Sequence, residues 1–170
     1  PPRVFIKTDL NKKHFRFERR LRRSSVEHSI AICDDLRQFC ATLPSESRYA
    51  FLPESLGLII VRGENDSSGV IYREVTPHPN QEKSVVLLPY HSLYAFDPFC
   101  KTDEPILIQL MRMNGGSDNL GYFVSEIVGP VLEAWVLLVS QRGLLPELHG
   151  QNALVEIDQD FCIRRIVHRD

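Results

Sequence analysis

The densest group of chemically capable side chains lies between a long apolar segment and two short alternating segments near the end of the chain. It consists of Glu147, His149, Gln151 and Asn152. Loops between rigid elements are common places for binding and catalytic residues. Carboxylate and amide oxygens are suitable ligands for Mg²⁺, and an imidazole can contact an anion. We therefore expect a site for a charged ligand here.

A carboxylate from the last residue is expected to join this group. The segments Ala153 to Ile157 and Phe161 to Val167 alternate around an Asp-Gln-Asp turn, which predicts a hairpin. Such a hairpin returns Asp170 to the level of Asn152, so an amide and a carboxylate can converge on one Mg²⁺ and the phosphates that it carries. In the alternative interpretation, His149 and Asn152 only satisfy a turn and Asp170 is an ordinary strand-end residue.

A second candidate site is the basic start of the chain. Residues 1–25 carry nine Lys or Arg against two acidic residues, although the whole chain has a net charge of only −2. An approaching anion is drawn to this segment. Alternation along strands predicts that Lys7 and either Arg16 or Arg20 share a face and form a pocket for phosphate or carboxylate oxygens. The alternative is a solvated edge strand protected from aggregation by its charge.

Arg73 allows two interpretations. Together with Glu74 it follows an apolar strand, and the two side chains can form a structural ion pair. Alternatively, Arg73 points into the same anion pocket as Lys7.

The order of periodic segments predicts an α+β fold, with a mixed or antiparallel sheet and helices. A helix is expected from Val26 to Leu43, and another from Thr102 or Asp103 to Met113. A third, longer helix is expected from Ser117 or Asp118 to Gly143, kinked at Pro130. Strands are expected at residues 3–7, 14–21 (pairing with the first), 56–61, 70–75 and 84–88, and in the hairpin described above.

Several classes of protein find no support in the sequence. The most apolar region, Ile127 to Ser140, is interrupted by Pro130 and Glu133, so we expect no segment with the ~18 apolar residues needed to cross a membrane. No export signal, Cys-x-x-Cys pair, Gly-rich phosphate loop or zinc-helix motif occurs. The four cysteines are expected to be reduced thiols in a cytoplasmic protein. Nucleic-acid binding through residues 12–23 stays open, although the aromatics there, Phe15 and Phe17, are few and the rest of the chain is acidic.

Three blocks of residues together resemble the NRPS-independent siderophore synthetases of the aerobactin-synthetase type. The most specific block is Glu147-Leu148-His149-Gly150-Gln151-Asn152, followed by Arg169-Asp170, which resembles the family's Glu-x-His-x-Gln-Asn block and its downstream Arg-Asp. Lys7-Thr8 with Arg19 resembles the family's Lys-Thr strand and the arginine after it. Tyr72-Arg73-Glu74 resembles its Arg-Glu strand. The order and rough spacing of all three blocks agree over essentially the whole chain.

The resemblance implies part of a cupped-hand fold of thumb, fingers and palm. Residues 1–100 are expected to be a fingers-like, strand-rich region with one helix, and residues 101–170 a palm-like helical region ending in the hairpin. The family's proteins are much longer, and this chain stops at Asp170 directly after a strand. We therefore expect it to be a piece of a longer protein. A homodimer is one expected assembly of the full-length enzyme.

The resemblance also implies a function. The family's enzymes are cytoplasmic ligases that join a polycarboxylic acid to an amine or hydroxyl through an acyl-adenylate, with ATP and Mg²⁺ and without nucleic acid or membrane. Carried over to this sequence, His149 and Arg19 are catalytic, and Asn152 and Asp170 are the metal ligands. The ATP-binding residues are Lys7, Thr8, Arg73, Glu147, Asn152 and Asp170.

One departure bears on the substrate. Phe15 and Arg16 stand where the family commonly has a Thr-Ser pair, so the usual hydroxyl contacts to citrate are not expected and the acid can differ from citrate. Two rival functions remain open from the residues alone. One is a kinase-like phosphotransferase, because a His-x-x-Asn loop followed by a hairpin and an aspartate also suits a kinase-type Mg²⁺ site. The other is a non-enzymatic module that binds anions or nucleic acid.

Overall fold

The computed structural model describes residues 4–9, 13–14, 17–18, 20–61, 63, 67–81, 84–96, 104–147 and 149–169. Arg16, Arg19, Cys100, Thr102, Asp103 and Asp170, on which sequence predictions rest, lie outside these ranges. The strands within the described residues are β1 (Val4–Thr8), β2 (Lys13–His14), β3 (Phe17–Glu18), β4 (Tyr49–Phe51), β5 (Glu54–Val61), β6 (Ser67–Glu74), β7 (Ser84–Pro89), β8 (Ala153–Asp158) and β9 (Ile163–His168). The α-helices are α1 (Arg23–Thr42), α2 (Ile106–Asn114), α3 (Asn119–Tyr122) and α4 (Gly129–Arg142).

The chain divides into two compact units. Unit 1 comprises residues 1–42 and 52–79, and unit 2 comprises residues 43–51 and 80–170. Antiparallel and mixed sheets with helices make this an α+β protein, which confirms the predicted fold class. The assignment of residues 1–100 to fingers and 101–170 to palm stays a prediction.

Unit 1 is built on a three-stranded antiparallel sheet in the order β1-β6-β5. The predicted hairpin is confirmed, because β5 and β6 pair in a register that sets Leu58 opposite Val70. Helix α1 is also confirmed, and its buried residues are Val26, Cys33, Phe39 and Cys40. Their spacing along the helix places an apolar stripe on one side of α1, as the sequence periodicity predicts.

The predicted partner of the first strand is wrong. We expected β1 to pair with a basic strand at residues 14–21, but β1 pairs along its whole length with β6, setting Lys7 opposite Ile71. Strands β2 and β3 pair instead with each other over two residues each. The physical reason is ladder length: the eight-residue β6 supplies a partner for each of the five residues of β1.

Close packing of α1 on this sheet depends on Gly69. A Cβ added there would lie 2.4 Å from Val26 Cγ2 and 2.7 Å from the backbone oxygen of Leu21. We expect Gly69→Ala to lower the free energy of unfolding by about 1–3 kcal/mol, since a backbone atom as well as a side chain must move. Gly63→Ala is the matched control, because a Cβ there meets none of the described residues within 4 Å. Equal stability of the two variants in urea denaturation would contradict this packing.

Unit 2 contains a four-stranded mixed sheet in the order β4-β9-β8-β7. Strand β4 runs parallel to β9, and the other neighbours are antiparallel. The predicted strand at residues 84–88 and the predicted C-terminal hairpin are both confirmed. The core of the unit consists of Leu93, Leu107, Leu110, Met111, Ile127, Val155, Ile157, Ile163 and Ile166.

Helix α2 begins later than predicted. Its first residue is Ile106, and the preceding Pro105 has extended backbone angles (φ −56°, ψ 149°). Helical backbone angles are unfavourable for a residue that precedes a proline. Glu104 precedes Pro105, so the helix does not include Glu104. The predicted end near Met113 is confirmed at Asn114.

The long apolar helix is present, and it contains a wider segment immediately before Pro130. As predicted, Asp118 caps its start by accepting a hydrogen bond from Gly121 N, and Gly143 ends it with a left-handed φ of 63°. Between α3 and α4, Phe123–Val128 forms a π-helical segment. At the end of that segment Gly129 N donates to Val124 O, five residues earlier.

This helix also corrects the prediction about membranes. Asn119–Arg142 forms 24 residues whose most apolar 18-residue window has a mean hydropathy of 1.7, so its length and composition alone would suffice to cross a bilayer. Pro130 and Glu133 do not interrupt it. A single helix of this kind is weak support for a membrane span, because core helices pass the same test.

Candidate functional site

The predicted residues Glu147, His149 and Asn152 lie in one closed loop of unit 2. Asn152 Nδ2 donates to Glu147 Oε2 at 3.0 Å. The backbone nitrogens of Asn152 and Ala153 donate to His149 O at 2.7 and 3.1 Å, and Gln151 N donates to His149 Nδ1 at 3.2 Å. Glu147 and His149 are exposed, and Asn152 is half-buried. The loop therefore presents a carboxylate and an imidazole to solvent from a hydrogen-bonded turn.

The hairpin β8–β9 holds the end of this loop in place. Asn152 directly precedes β8, and its carbonyl oxygen accepts a hydrogen bond from Arg169 N at 2.8 Å. Ala153 and His168 are opposite each other in the ladder. The predicted return of the second strand to the level of Asn152 is thus confirmed as far as Arg169. Asp170 itself lies outside the described residues.

The loop has donors that fit a hard cation such as Mg²⁺. The hydrogen bond from Asn152 to Glu147 uses the nitrogen of the Asn152 side-chain amide. The oxygen of that amide can therefore still bind a metal, and the Glu147 carboxylate supplies further oxygen ligands. Within the described residues, no group of three or more His, Cys, Asp or Glu could hold a metal. Binding of Mg²⁺ by Asn152 and Asp170 therefore stays a prediction.

In unit 1 the predicted basic residues converge on a carboxylate that the sequence analysis missed. Glu54 Oε1 accepts from Lys7 Nζ at 2.7 Å and from Arg73 Nε at 3.1 Å, and Ser29 Oγ donates to Glu54 Oε2. The side chain of Arg73 is 5% exposed, against 26% for Lys7. Of the two cations, Lys7 therefore has more access to a ligand.

The charges around Glu54 keep its carboxylate ionised. Burial alone would raise the pKa of Glu54, but hydrogen bonds from Lys7 and Ser29 and the charge of Arg73 outweigh burial and hold the pKa below its usual range. Lys7 and Arg73 thus share this carboxylate, and Lys7 is the more accessible cation of the cluster formed by Lys7, Arg73, Glu54 and Ser29.

The ion pair predicted between Arg73 and Glu74 is wrong. Arg73 pairs with Glu54, as Lys7 does, and Glu74 pairs with Arg37 at 3.3 Å. The alternative, that Arg73 belongs to the same anion pocket as Lys7, stays a prediction. Adjacent strand residues point to opposite faces, so an ion pair between residues 73 and 74 within one strand is geometrically unfavourable. Thr8 differs from Lys7 for the same reason: it is exposed, and its place at the end of β1 directs it to the other face of the sheet.

His168 is another buried polar residue that the sequence analysis did not single out. It is 4% exposed, and neither ring nitrogen has a hydrogen-bond partner among the described residues. Its ring lies against Tyr49, with 5.7 Å between centroids. Burial lowers the pKa of His168 to about 4, so the imidazole is neutral at pH 7. The sequence did contain a signal for this burial: His168 lies two residues after the apolar Ile166, so both are expected on the same face of β9.

The structure thus groups the predicted residues into two sets. Glu147, His149 and Asn152 share the loop in unit 2, whereas Lys7 and Arg73 share Glu54 in unit 1. Arg19 and Asp170 fall outside the described ranges, so their positions stay predictions.

Solved structures identify the class of fold. No protein-family model matches this sequence, and a sequence search of curated proteins finds no match. Structural comparison does find matches, and they show that the chain has the fold of part of an NRPS-independent siderophore synthetase. The resemblance inferred from the sequence blocks is therefore confirmed at the level of the fold.

Two solved proteins illustrate the match. The petrobactin biosynthesis protein AsbB from Bacillus anthracis str. Sterne is similar over 100% of this chain, with a TM-score of 0.78 and 24% sequence identity. The aerobactin synthetase IucC from a hypervirulent pathotype of Klebsiella pneumoniae is similar over 98%, with a TM-score of 0.75 and 17% identity. This chain spans only 28% and 29% of their respective lengths.

Proposed function

We propose that this chain is part of an ATP-dependent ligase of siderophore biosynthesis, which condenses a polycarboxylic acid with an amine or hydroxyl. The observation that carries the proposal is the match of the whole chain to the fold of a petrobactin biosynthesis protein, with a TM-score of 0.78. The loop from Glu147 to Asn152 supports it, because its donors suit Mg²⁺ and an anionic ligand. The activity belongs to the complete protein, of which the matched region is a minor part.

The proposed reaction has two steps. A carboxylate oxygen attacks the α-phosphorus of ATP, which forms an acyl-adenylate and releases pyrophosphate. An amine or hydroxyl then attacks the acyl carbon, forms the amide or ester, and releases AMP. Two anions must meet in the first step, so cationic side chains that neutralise their repulsion lower its barrier.

Each side chain has a proposed role in this scheme. His149 contacts the carboxylate or the α-phosphate from its exposed position in the loop. Asn152 and Asp170, with Glu147, hold Mg²⁺ and the phosphates. Lys7 and Arg19 neutralise charge, with Lys7 acting through its exposed part while it remains attached to Glu54. Thr8 is assigned to nucleotide binding by the resemblance alone, because it lies on the face of β1 opposite Lys7.

Arg73 has a different proposed role from the one the resemblance suggests. Its side chain is buried against Glu54, so it acts on a bound anion through its charge and by fixing Glu54. We further propose a cytoplasmic protein that takes small-molecule carboxylate and amine substrates, without nucleic acid or membrane partners. A homodimer is the proposed assembly of the full-length enzyme.

Calorimetric titration of the 170-residue protein with MgATP tests the nucleotide site. We expect binding by the parent protein and at least a tenfold loss of affinity in the His149→Ala, Asp170→Ala double variant, since charged hydrogen bonds contribute about 1.5–3 kcal/mol each. His28→Ala, at an exposed position on α1, is the matched control and should bind like the parent.

Two results would contradict this assignment. One is equal affinity of the parent and the double variant. The other is no binding by the parent protein when circular dichroism shows that it is folded. In the complete enzyme, formation of ADP in place of AMP and pyrophosphate would favour a kinase-like reaction.

A further inference from the structure

The loop from Glu147 to Asn152 needs support on the side away from the hairpin. At its end, Asn152 O is fixed by Arg169 N, and Asn152 continues directly into β8. Its start follows the end of α4, where the Gly143 and Leu144 nitrogens bond to Val139 and Leu138 oxygens. The middle of the loop is Gly150, a residue type with little conformational preference of its own. A contact at Gly150 therefore adds order to the middle of the loop.

His91 supplies that contact twice. Its backbone nitrogen donates to Gly150 O at 2.9 Å, and its ring Nδ1 lies 3.2 Å from the same oxygen. A carbonyl oxygen only accepts hydrogen bonds, so Nδ1 must carry the proton in this contact. One residue thus donates two hydrogen bonds to the carbonyl in the middle of the loop.

The support under His91 is itself firmly held. His91 lies in a 3₁₀ helix, Tyr90–Tyr94, that directly follows β7. In this helix Leu93 is 1% exposed within the core of unit 2, and Tyr90 Oη donates to Ile127 O at 3.0 Å. Pro89, at the end of β7, is opposite Leu154 of β8. His91 is therefore presented to Gly150 from a packed element, although its own ring is exposed.

We propose that His91 is a positioning residue for the ligand site: its Nδ1–H fixes Gly150 and thereby sets the relative geometry of Glu147, His149 and Asn152. The consequence for ligand affinity rests on the proposed function, whereas the consequence for loop order does not. His91 itself is not proposed to contact the nucleotide, the carboxylate or the metal.

Three variants separate positioning from a general structural effect. His91→Leu keeps the backbone bond and removes the ring donor. His91→Asn places an amide N–H close to where Nδ1 lies, so it should restore the contact. His28→Leu makes the same change of residue type at an exposed position in unit 1 and serves as the control. Amide hydrogen exchange by NMR is measured at residues 91, 151 and 152, together with calorimetric affinity for MgATP.

We expect His91→Leu to speed hydrogen exchange at these three amides. We also expect it to lower the affinity for MgATP by about threefold to tenfold, the usual effect of losing one hydrogen bond. His91→Asn should return both quantities to within about twofold of the parent. Unchanged exchange in His91→Leu, or no rescue by His91→Asn, would overturn the proposal. If the parent protein binds no MgATP, the assignment of a nucleotide site to this chain fails, but the exchange rates still decide the role of His91.

Discussion

Replacing Glu156 with leucine is expected to destabilise the protein by about 3–5 kcal/mol, the usual cost of removing one partner of a buried ion pair. Glu156 and Arg165 face each other across β8 and β9, and their side chains are 1% and 2% exposed. Arg165 donates to both carboxylate oxygens, with Arg165 Nη2 at 3.0 Å from Glu156 Oε1. In the variant, the buried guanidinium of Arg165 loses both hydrogen bonds to Glu156.

Urea denaturation of three proteins tests this expectation. The double variant Glu156→Leu, Arg165→Met should recover most of the loss, because a buried pair replaced by apolar residues of similar volume is often neutral or stabilising. Glu27→Leu is the matched control, since Glu27 pairs with Arg23 on the exposed surface of α1 at 2.7 Å. Such a solvent-exposed pair contributes little to stability, because water screens its charges. A similar small effect at Glu156 would show that its burial is not maintained in solution.

The second large effect is a loss of stability in acid caused by His168. Its pKa falls from 6.5 to about 4 on folding because the ring is buried. Between these values the unfolded state binds more protons than the folded state, so the free energy of unfolding rises with pH. The contribution of His168 is therefore fully present above pH 6.5 and is lost as the pH falls towards 4. The whole difference is roughly 3 kcal/mol.

The measurement is the difference in free energy of unfolding between the parent and His168→Phe, taken at pH 7, 6, 5 and 4. A phenyl ring keeps the contact with Tyr49 and cannot be protonated. We therefore expect the free energy of unfolding of the variant, relative to that of the parent, to increase as the pH falls. His28→Phe controls for the loss of one histidine from an exposed position. A difference that stays constant with pH would show that the His168 imidazole is solvated in the folded protein.

Much of the fold was predictable because its elements are local. The apolar spacing from Val26 to Cys40 marks a helix without reference to any other part of the chain, and Gly143 ends another helix because it tolerates a left-handed φ. The hairpins β5–β6 and β8–β9 join strands that are neighbours in sequence, so alternation and an intervening turn were enough to predict them.

The candidate site was predictable only in part, for a related reason. Glu147, His149 and Asn152 lie within six residues, so the sequence already placed them together. His91 was missed, because its contact with Gly150 joins residues 59 positions apart. Glu54 was missed for the same reason, since it reaches Lys7 and Arg73 only across the strands of the sheet.

The sequence by itself determined the order of the elements, the caps of the long helix, and the loop that carries Glu147, His149 and Asn152. Tertiary structure decided that β6 pairs with β1, that Glu54 neutralises Arg73, and that His168 is buried without a partner among the described residues. Local periodicity specifies which residues share a face of one element. The partner that meets that face, and hence the dielectric and charge around each side chain, depends on contacts between distant parts of the chain.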